Sequence, residues 1–160
     1  VAAGDLEALA QAAGAVIGNA GIAAMELKAD RFYYTPGPGF GVAGICAPPT
    51  PELLRLQADV IAAATPFMRS SATIDAFTAR HDNPAFDVAL IDYVAGFAEH
   101  HAGANFNPHV STGVAPTDYL DAMIAEPFAA FAFAPAGAAI YQLGPFGTAA
   151  RLLKQLEVAR

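Results

Sequence analysis

Apolar residues recur at spacings of three and four through Leu6, Leu9, Ala13, Val16 and Ile17, which predicts an amphipathic helix over 5–17. Gly18, Asn19 and Gly21 supply its stop. The period then falls to two. Met25, Leu27 and Ala29 alternate with Glu26, Lys28 and Asp30, and the run continues into Arg31-Phe32-Tyr33-Tyr34, as a half-buried strand requires. Pro36-Gly37-Pro38-Gly39 forces a turn, and Phe40-Gly41-Val42-Ala43-Gly44-Ile45-Cys46, closed by Pro48-Pro49, returns as the second strand of an antiparallel hairpin.

Thr50-Pro51-Glu52 opens a second helix: Thr caps, Pro is pre-set for the first helical position and Glu suits the positive end of the dipole. Leu53, Leu56, Val60, Ile61 and Ala64 form its buried stripe until Pro66. The stretch 68–86 has no clear period and reads as a long loop with a turn of helix. Val88, Ile91, Val94, Ala95 and Ala98 predict a further helix, closed near Gly103. His109-Val110-Ser111-Thr112-Gly113-Val114-Ala115 is a short strand ended by Pro116, and a helix with Tyr119, Leu120, Met123 and Ile124 as its apolar face starts at Thr117.

Phe128-Ala129-Ala130-Phe131-Ala132-Phe133 and Ala138-Ala139-Ile140-Tyr141-Gln142-Leu143 read as a second pair of strands. A closing helix is expected from Gly147, with Ala150, Leu153, Leu156 and Ala159 on one side and Arg151 and Lys154 towards its negative end. The sum is a single α+β domain over 1–160, antiparallel sheets with helices packed on one face.

Composition narrows the function classes. Of 160 residues 55% are apolar, ample for a core, and disorder is excluded. Ala-rich stretches are broken by 12 Pro and 14 Gly, and no apolar run reaches the roughly 20 residues of a membrane-spanning helix, so a soluble chain away from membranes is expected. Fifteen Asp+Glu against 8 Lys+Arg give a net charge of -7, which argues against binding an extended nucleic-acid backbone. A small phosphate or an RNA end remains compatible. Cys46 is the single cysteine, so an internal disulfide and a multi-thiolate zinc site are excluded. The opening Val-Ala-Ala-Gly-Asp-Leu-Glu has neither a basic n-region nor an apolar h-region, so either a segment was removed or the chain is a fragment.

His109 and Ser111 are two apart, so on a strand they project from one face, with Val110 and Thr112 pointing the other way into the core. An imidazole that titrates near neutrality moves a proton, and the adjacent hydroxyl holds a phosphoryl oxygen: half of a phosphoester-handling site. Between Arg80 and Arg151 there is no Lys or Arg, so a phosphate near His109 would be held by hydroxyls, backbone N–H groups and imidazoles.

Asn105-Phe106-Asn107-Pro108-His109-Val110-Ser111-Thr112-Gly113, followed by Ile140-Tyr141-Gln142-Leu143-Gly144-Pro145-Phe146-Gly147-Thr148-Ala149-Ala150, resembles the C-terminal half of the 2H phosphoesterase superfamily, in its 2'-5' RNA ligase-like branch. Ile91-Asp92-Tyr93-Val94 and Phe32-Tyr33-Tyr34 with its Gly-rich turn are similar to the same branch, so the resemblance covers nearly the whole chain. The family signature is His-x-Thr/Ser-x, once in each of two lobes; His109 and Ser111 match the second copy. The resemblance implies a bilobal fold with a cleft, in which one imidazole is the general base and the other the general acid on a 2',3'-cyclic or 2'-5' phosphodiester. The hydroxyls bind the phosphate, and neither metal nor other cofactor is required.

The first motif is missing: His81, His100 and His101 have no hydroxyl residue two positions on, and the family places that motif ahead of the helix at Asp5. The expectation is therefore a domain lacking its N-terminal portion, with His109 and Ser111 catalytic and Tyr141 and Tyr33 as candidate substrate contacts. Tyr141 is chosen because its strand could flank that of His109; a rim tyrosine with a buried ring is the plainer role for either tyrosine. The resemblance also suggests a periplasmic or secreted protein, a cytoplasmic one being the alternative.

Other candidates carry less. Gly37-Pro38-Gly39-Phe40-Gly41 lacks the Gly-Lys-Ser/Thr ending of a phosphate loop and is a hairpin turn. Glu99-His100-His101 has no spaced partner motif to complete a metal site and reads as a solvated helix end. Asp82 beside His81 suits a turn. Two further function classes stay open beside the enzyme: a binding module for a nucleotide or RNA end, and a structural or interaction domain.

Overall fold

The computed structural model describes residues 1–78 and 89–158. Its helices are α1 (Leu6–Asn19), α2 (Pro51–Ala64), α3 (Ala89–Ala95), α4 (Phe97–His100) and α5 (Thr117–Ala125). The strands are β1 (Leu27–Ala29), β2 (Arg31–Gly37), β3 (Phe40–Cys46), β4 (His109–Pro116), β5 (Phe131–Phe133), β6 (Ala138–Leu143) and β7 (Ala149–Leu156). They pair antiparallel as β1-β5, β2-β3-β4 and β6-β7, an α+β arrangement. Contacts group the chain into two units, one of Val1–Met25, Pro51–Phe106 and Pro135–Arg160, the other of Glu26–Thr50 and Asn107–Ala134.

In the first unit, α1 forms where the sequence spacing demands and ends as Ala20 N–H bonds back to Val16 and Ile17, with Gly21 in the left-handed region at φ 60°. Its stripe of Ala10, Ala13 and Ile17 is buried with Ile22 and with Leu156 of β7, and Leu56 and Val60 of α2 and Ile140 of β6 pack against that cluster. The closing helix expected from Gly147 is instead β7. Its partners on β6 run Ile140 to Lys154 and then Tyr141 to Leu152, and Gln142 to Arg151 and then Leu143 to Ala149, so Leu153 and Ala150 are each an extra residue at a β-bulge. The spacing of three in Ala150, Leu153 and Leu156, which imitated a helix, is that of two bulge residues and a regularly paired one, and it marks no common face of the strand.

Strand β6 therefore pairs with β7, and the expected pairing with the Phe-rich run does not form; β5 pairs with β1. The helix expected around 88–98 is interrupted at Gly96, and the imidazole of His100 packs so close that a Cβ on Gly96 would lie 2.9 Å from it. Within the long loop, Ile74–Ala76 is a helical turn, and Gln142 Nε2 donates to the Asp75 and Phe77 carbonyls at 3.1 and 3.0 Å. His81, Asp82 and the loop residues from 79 to 86 lie outside the described residues, as do Val88 and Ala159.

In the second unit, the run read as one strand from Met25 to Tyr34 is divided at Asp30: Leu27 to Ala29 pair with β5, and Arg31 onward pairs with β3. The β2-β3 hairpin forms as expected. Pro38 and Gly39 occupy the two central turn positions, and Gly39 at φ 75° takes the conformation that a type II turn asks of its second central residue. Helix α5 lies on one face of the three-stranded sheet, and Leu120 is fully buried over Gly41, where a Cβ would collide with it. The broader apolar face expected for α5 is not buried, since Tyr119 is 64% and Ile124 45% exposed. Among the described residues no helix is long and apolar enough to cross a membrane.

Candidate functional site

Register fixes which side chains share a face, because residues directly opposite one another in a sheet project to the same side. Cys46 stands opposite both Arg31 and His109, and Gly44 opposite both Tyr33 and Ser111. Two adjacent rows across β2, β3 and β4 thus bring Arg31, Cys46, His109, Tyr33 and Ser111 to one face. Gly41, Ala43 and Ile45 alternate to the other, which carries α5. The expected side-by-side placement of His109 and Ser111 is found, and both are exposed.

The companion expectation, that Val110 and Thr112 enter the core, is corrected. The register passes from Gly44 opposite Ser111 to Ala43 opposite Gly113, leaving Thr112 as the extra residue of a bulge, and Thr112 is exposed. Val110 is on the α5 side but 53% exposed, since β4 is an edge strand that the nine-residue helix does not cover.

The imidazole is held from both sides. Nδ1 of His109 lies 2.7 Å from the carbonyl oxygen of Asn107. A carbonyl only accepts, so the geometry assigns the proton to Nδ1 and leaves Nε2 as the basic nitrogen of the neutral ring. Asn107 is itself fixed: its side-chain oxygen accepts from the Cys46 thiol at 3.2 Å, and the neighbouring Pro108 carbonyl accepts from Ala47 N–H at 3.0 Å. The Tyr33 ring packs against His109 with centroids 4.9 Å apart. Burial pushes the Cys46 thiol above its usual range, while the nearby Arg31 charge and the Asn107 hydrogen bond pull the other way.

On the opposite face Tyr34 donates to Asp121 of α5 at 2.6 Å, and that bond, with the carboxylate's charge, raises the phenol above 10.0. Tyr34 therefore ties sheet to helix. Tyr141 sits on β6, 43% exposed, in the sheet with β7; the strand flanking β4 is β3, so the reason for singling out Tyr141 is lost. The solvated helix end expected at Glu99-His100-His101 is the end of α4, with Glu99 and His100 exposed, while half-buried His101 packs 4.6 Å from Tyr93 and 5.7 Å from Phe97. Among the described residues no three His, Cys, Asp or Glu side chains gather as a metal site would need.

Asn107 and Arg31 escaped the sequence reading for different reasons. Asn107 acts through its backbone carbonyl, which residue type does not signal, although its two-residue offset from His109 was visible. Arg31 lies far upstream of His109 in the chain, and only the β2-β3-β4 register brings it to this face. No family model, no curated protein and no solved structure matches the chain.

Proposed function

We propose that this chain is a phosphoesterase domain acting on a 2',3'-cyclic phosphate or a 2'-5' phosphodiester at the end of a nucleotide or RNA, in the manner of the 2H phosphoesterases it resembles. The observation that carries the reading is the His109 ring, anchored through Nδ1 with Nε2 left basic, on the same sheet face as the Ser111 hydroxyl. In hydrolysis water adds to phosphorus, a P–O ester bond breaks, one proton leaves the water and one reaches the departing oxygen. Nε2 serves one of those two transfers, as base when neutral and as acid when protonated. Ser111 donates its hydroxyl hydrogen to a phosphoryl oxygen, and Asn107 keeps the ring in the tautomer that works.

The second transfer belongs to another group. His100 and His101 lie in the first unit, and His81 lies outside the described residues. A single imidazole on this face among the described residues equally favours a second reading, a module that binds a nucleotide phosphate without turning it over.

Incubating the chain with a 2',3'-cyclic nucleotide and with a 2'-5' dinucleotide, followed by chromatography of the products, separates the two. Turnover that falls about 10²–10⁴-fold in His109→Ala supports the enzyme. Turnover that survives that substitution overturns the mechanism, and saturable binding without turnover supports the binding module.

A further inference from the structure

A phosphodiester carries a negative charge that a neutral imidazole and a hydroxyl do not offset, and the chain from 81 to 150 offers no Lys or Arg. The sheet supplies one from elsewhere. Arg31 and His109 end the same cross-strand row, each opposite Cys46, so their backbones stand two strand spacings, roughly 10 Å, apart. Its guanidinium is near enough to the Cys46 thiol of the central strand for the positive charge to favour the thiolate. Its positive charge is therefore carried by the same sheet face as the imidazole, on a strand two spacings away. Nη1 also pairs with Asp30 Oδ1 at 2.9 Å, and the side chain is still 54% exposed. A guanidinium has five N–H donors in a planar fork, so the Asp30 contact leaves others to meet an anion.

We propose that Arg31 is the anion anchor of the His109 face, binding the non-bridging oxygens of a compact phosphodiester whose ester oxygens meet His109 and whose phosphoryl oxygen meets Ser111. This rests on the phosphoester reading above and narrows it to anionic esters, excluding neutral ones. Asp30 tempers the anchor, because its carboxylate competes with the ligand for the same guanidinium and repels the incoming phosphate. The Cys46 thiol is the neutral spacer between cation and imidazole.

The test follows the His109 ring resonances, assigned with His109→Ala, during titration with inorganic phosphate and then with a 2',3'-cyclic nucleotide at low and high salt. A saturable shift is expected, with Kd raised about 10–100-fold in Arg31→Gln and partly recovered in Arg31→Lys, as loss of a charged hydrogen bond implies. Asp30→Asn is expected to lower Kd. If the shift persists in Arg31→Gln with unchanged Kd, the anchor is refuted and the phosphoester reading stands. If neither probe shifts His109 in the parent chain, that reading falls and the anchor with it. Should Arg31→Gln fail to fold, Asp30→Asn decides, since an unchanged or raised Kd overturns the proposal.

Discussion

The Tyr33 ring rests against the His109 imidazole, centroids 4.9 Å apart and planes inclined by 58°, across a strand on which Gly44 leaves the space open. Tyr33 is on β2 and His109 on β4, so the ring must cross β3 to reach its partner. A Cβ at Gly44 would fall on the tyrosine ring and 2.9 Å from the Val110 carbonyl oxygen. Gly44→Ala should therefore push Tyr33 away and cost about 1–3 kcal/mol as an overpacked site. Urea unfolding reads the cost, and loss of the ring-current shift on the His109 imidazole reads the displacement.

Ser111 has a neutral hydroxyl aimed at a charged group under the proposed function. Ser111→Ala should weaken binding of a 2',3'-cyclic nucleotide about tenfold and leave thermal stability unchanged, because the side chain is exposed. Calorimetric titration beside a melting curve checks both halves.

Tyr34 gives a pH signature. Its phenol is raised above 10.0 in the folded state, chiefly by the bond it donates to Asp121, so the folded chain holds that proton more tightly than the unfolded one. The contribution is complete below about pH 10 and is lost as pH rises through the folded value. Tyr34→Phe should flatten the difference: parent and variant unfolding curves, compared between pH 8 and pH 11.5, should converge at the alkaline end.

Cys46 is buried, and its thiol is raised above 9.0, burial being the largest cause. At pH 7.5 it should react with a disulfide reagent far more slowly in the folded chain than in urea, because burial lowers both the thiolate population and access to it. Arg31→Gln removes the charge that favours the thiolate and should slow the folded reaction further. Equal rates in the folded chain and in urea would contradict the buried placement.

Two leucine-class positions on α5 separate burial from hydrophobicity. Leu120, fully buried, should cost about 2–5 kcal/mol on truncation to Ala, whereas Ile124, 45% exposed, should cost under about 1 kcal/mol. Chemical denaturation of the two variants makes the comparison, and similar losses would show that α5 buries its other side.

Local pattern carried as far as local structure determined the outcome. The hairpin through Pro38-Gly39, the helix start at Pro51 and the shared face of His109 and Ser111 were all legible, because turn chemistry and period-two alternation act within a few residues. Strand β7 was not, since its bulges at Ala150 and Leu153 alter the period itself. The β1-β5 pairing joins Leu27 to Phe133, and no nearby residue encodes so distant a choice. Arg31 belongs to the same class: its strand was legible, but its position in the His109 row depends on how two strands register on a third. The exposed half of α5 was misread because apolar spacing marks a face that can be buried, not one that is.

The extra residue at Thr112 also sets a reading frame for the edge strand. From Gly113 onward, β4 alternates in step with α5; before it, the count restarts half a period out, and that offset alone turns the imidazole outward. Were Thr112 instead to take the place opposite Gly44 in a regular ladder, Ser111 would stand opposite Ile45 on the helix side and Val110 opposite Cys46. Composition and charge would be the same, yet the row shared with Arg31 would be gone. Chemistry on this sheet thus hangs on a parity, set by whether Thr112 stands outside the ladder or within it.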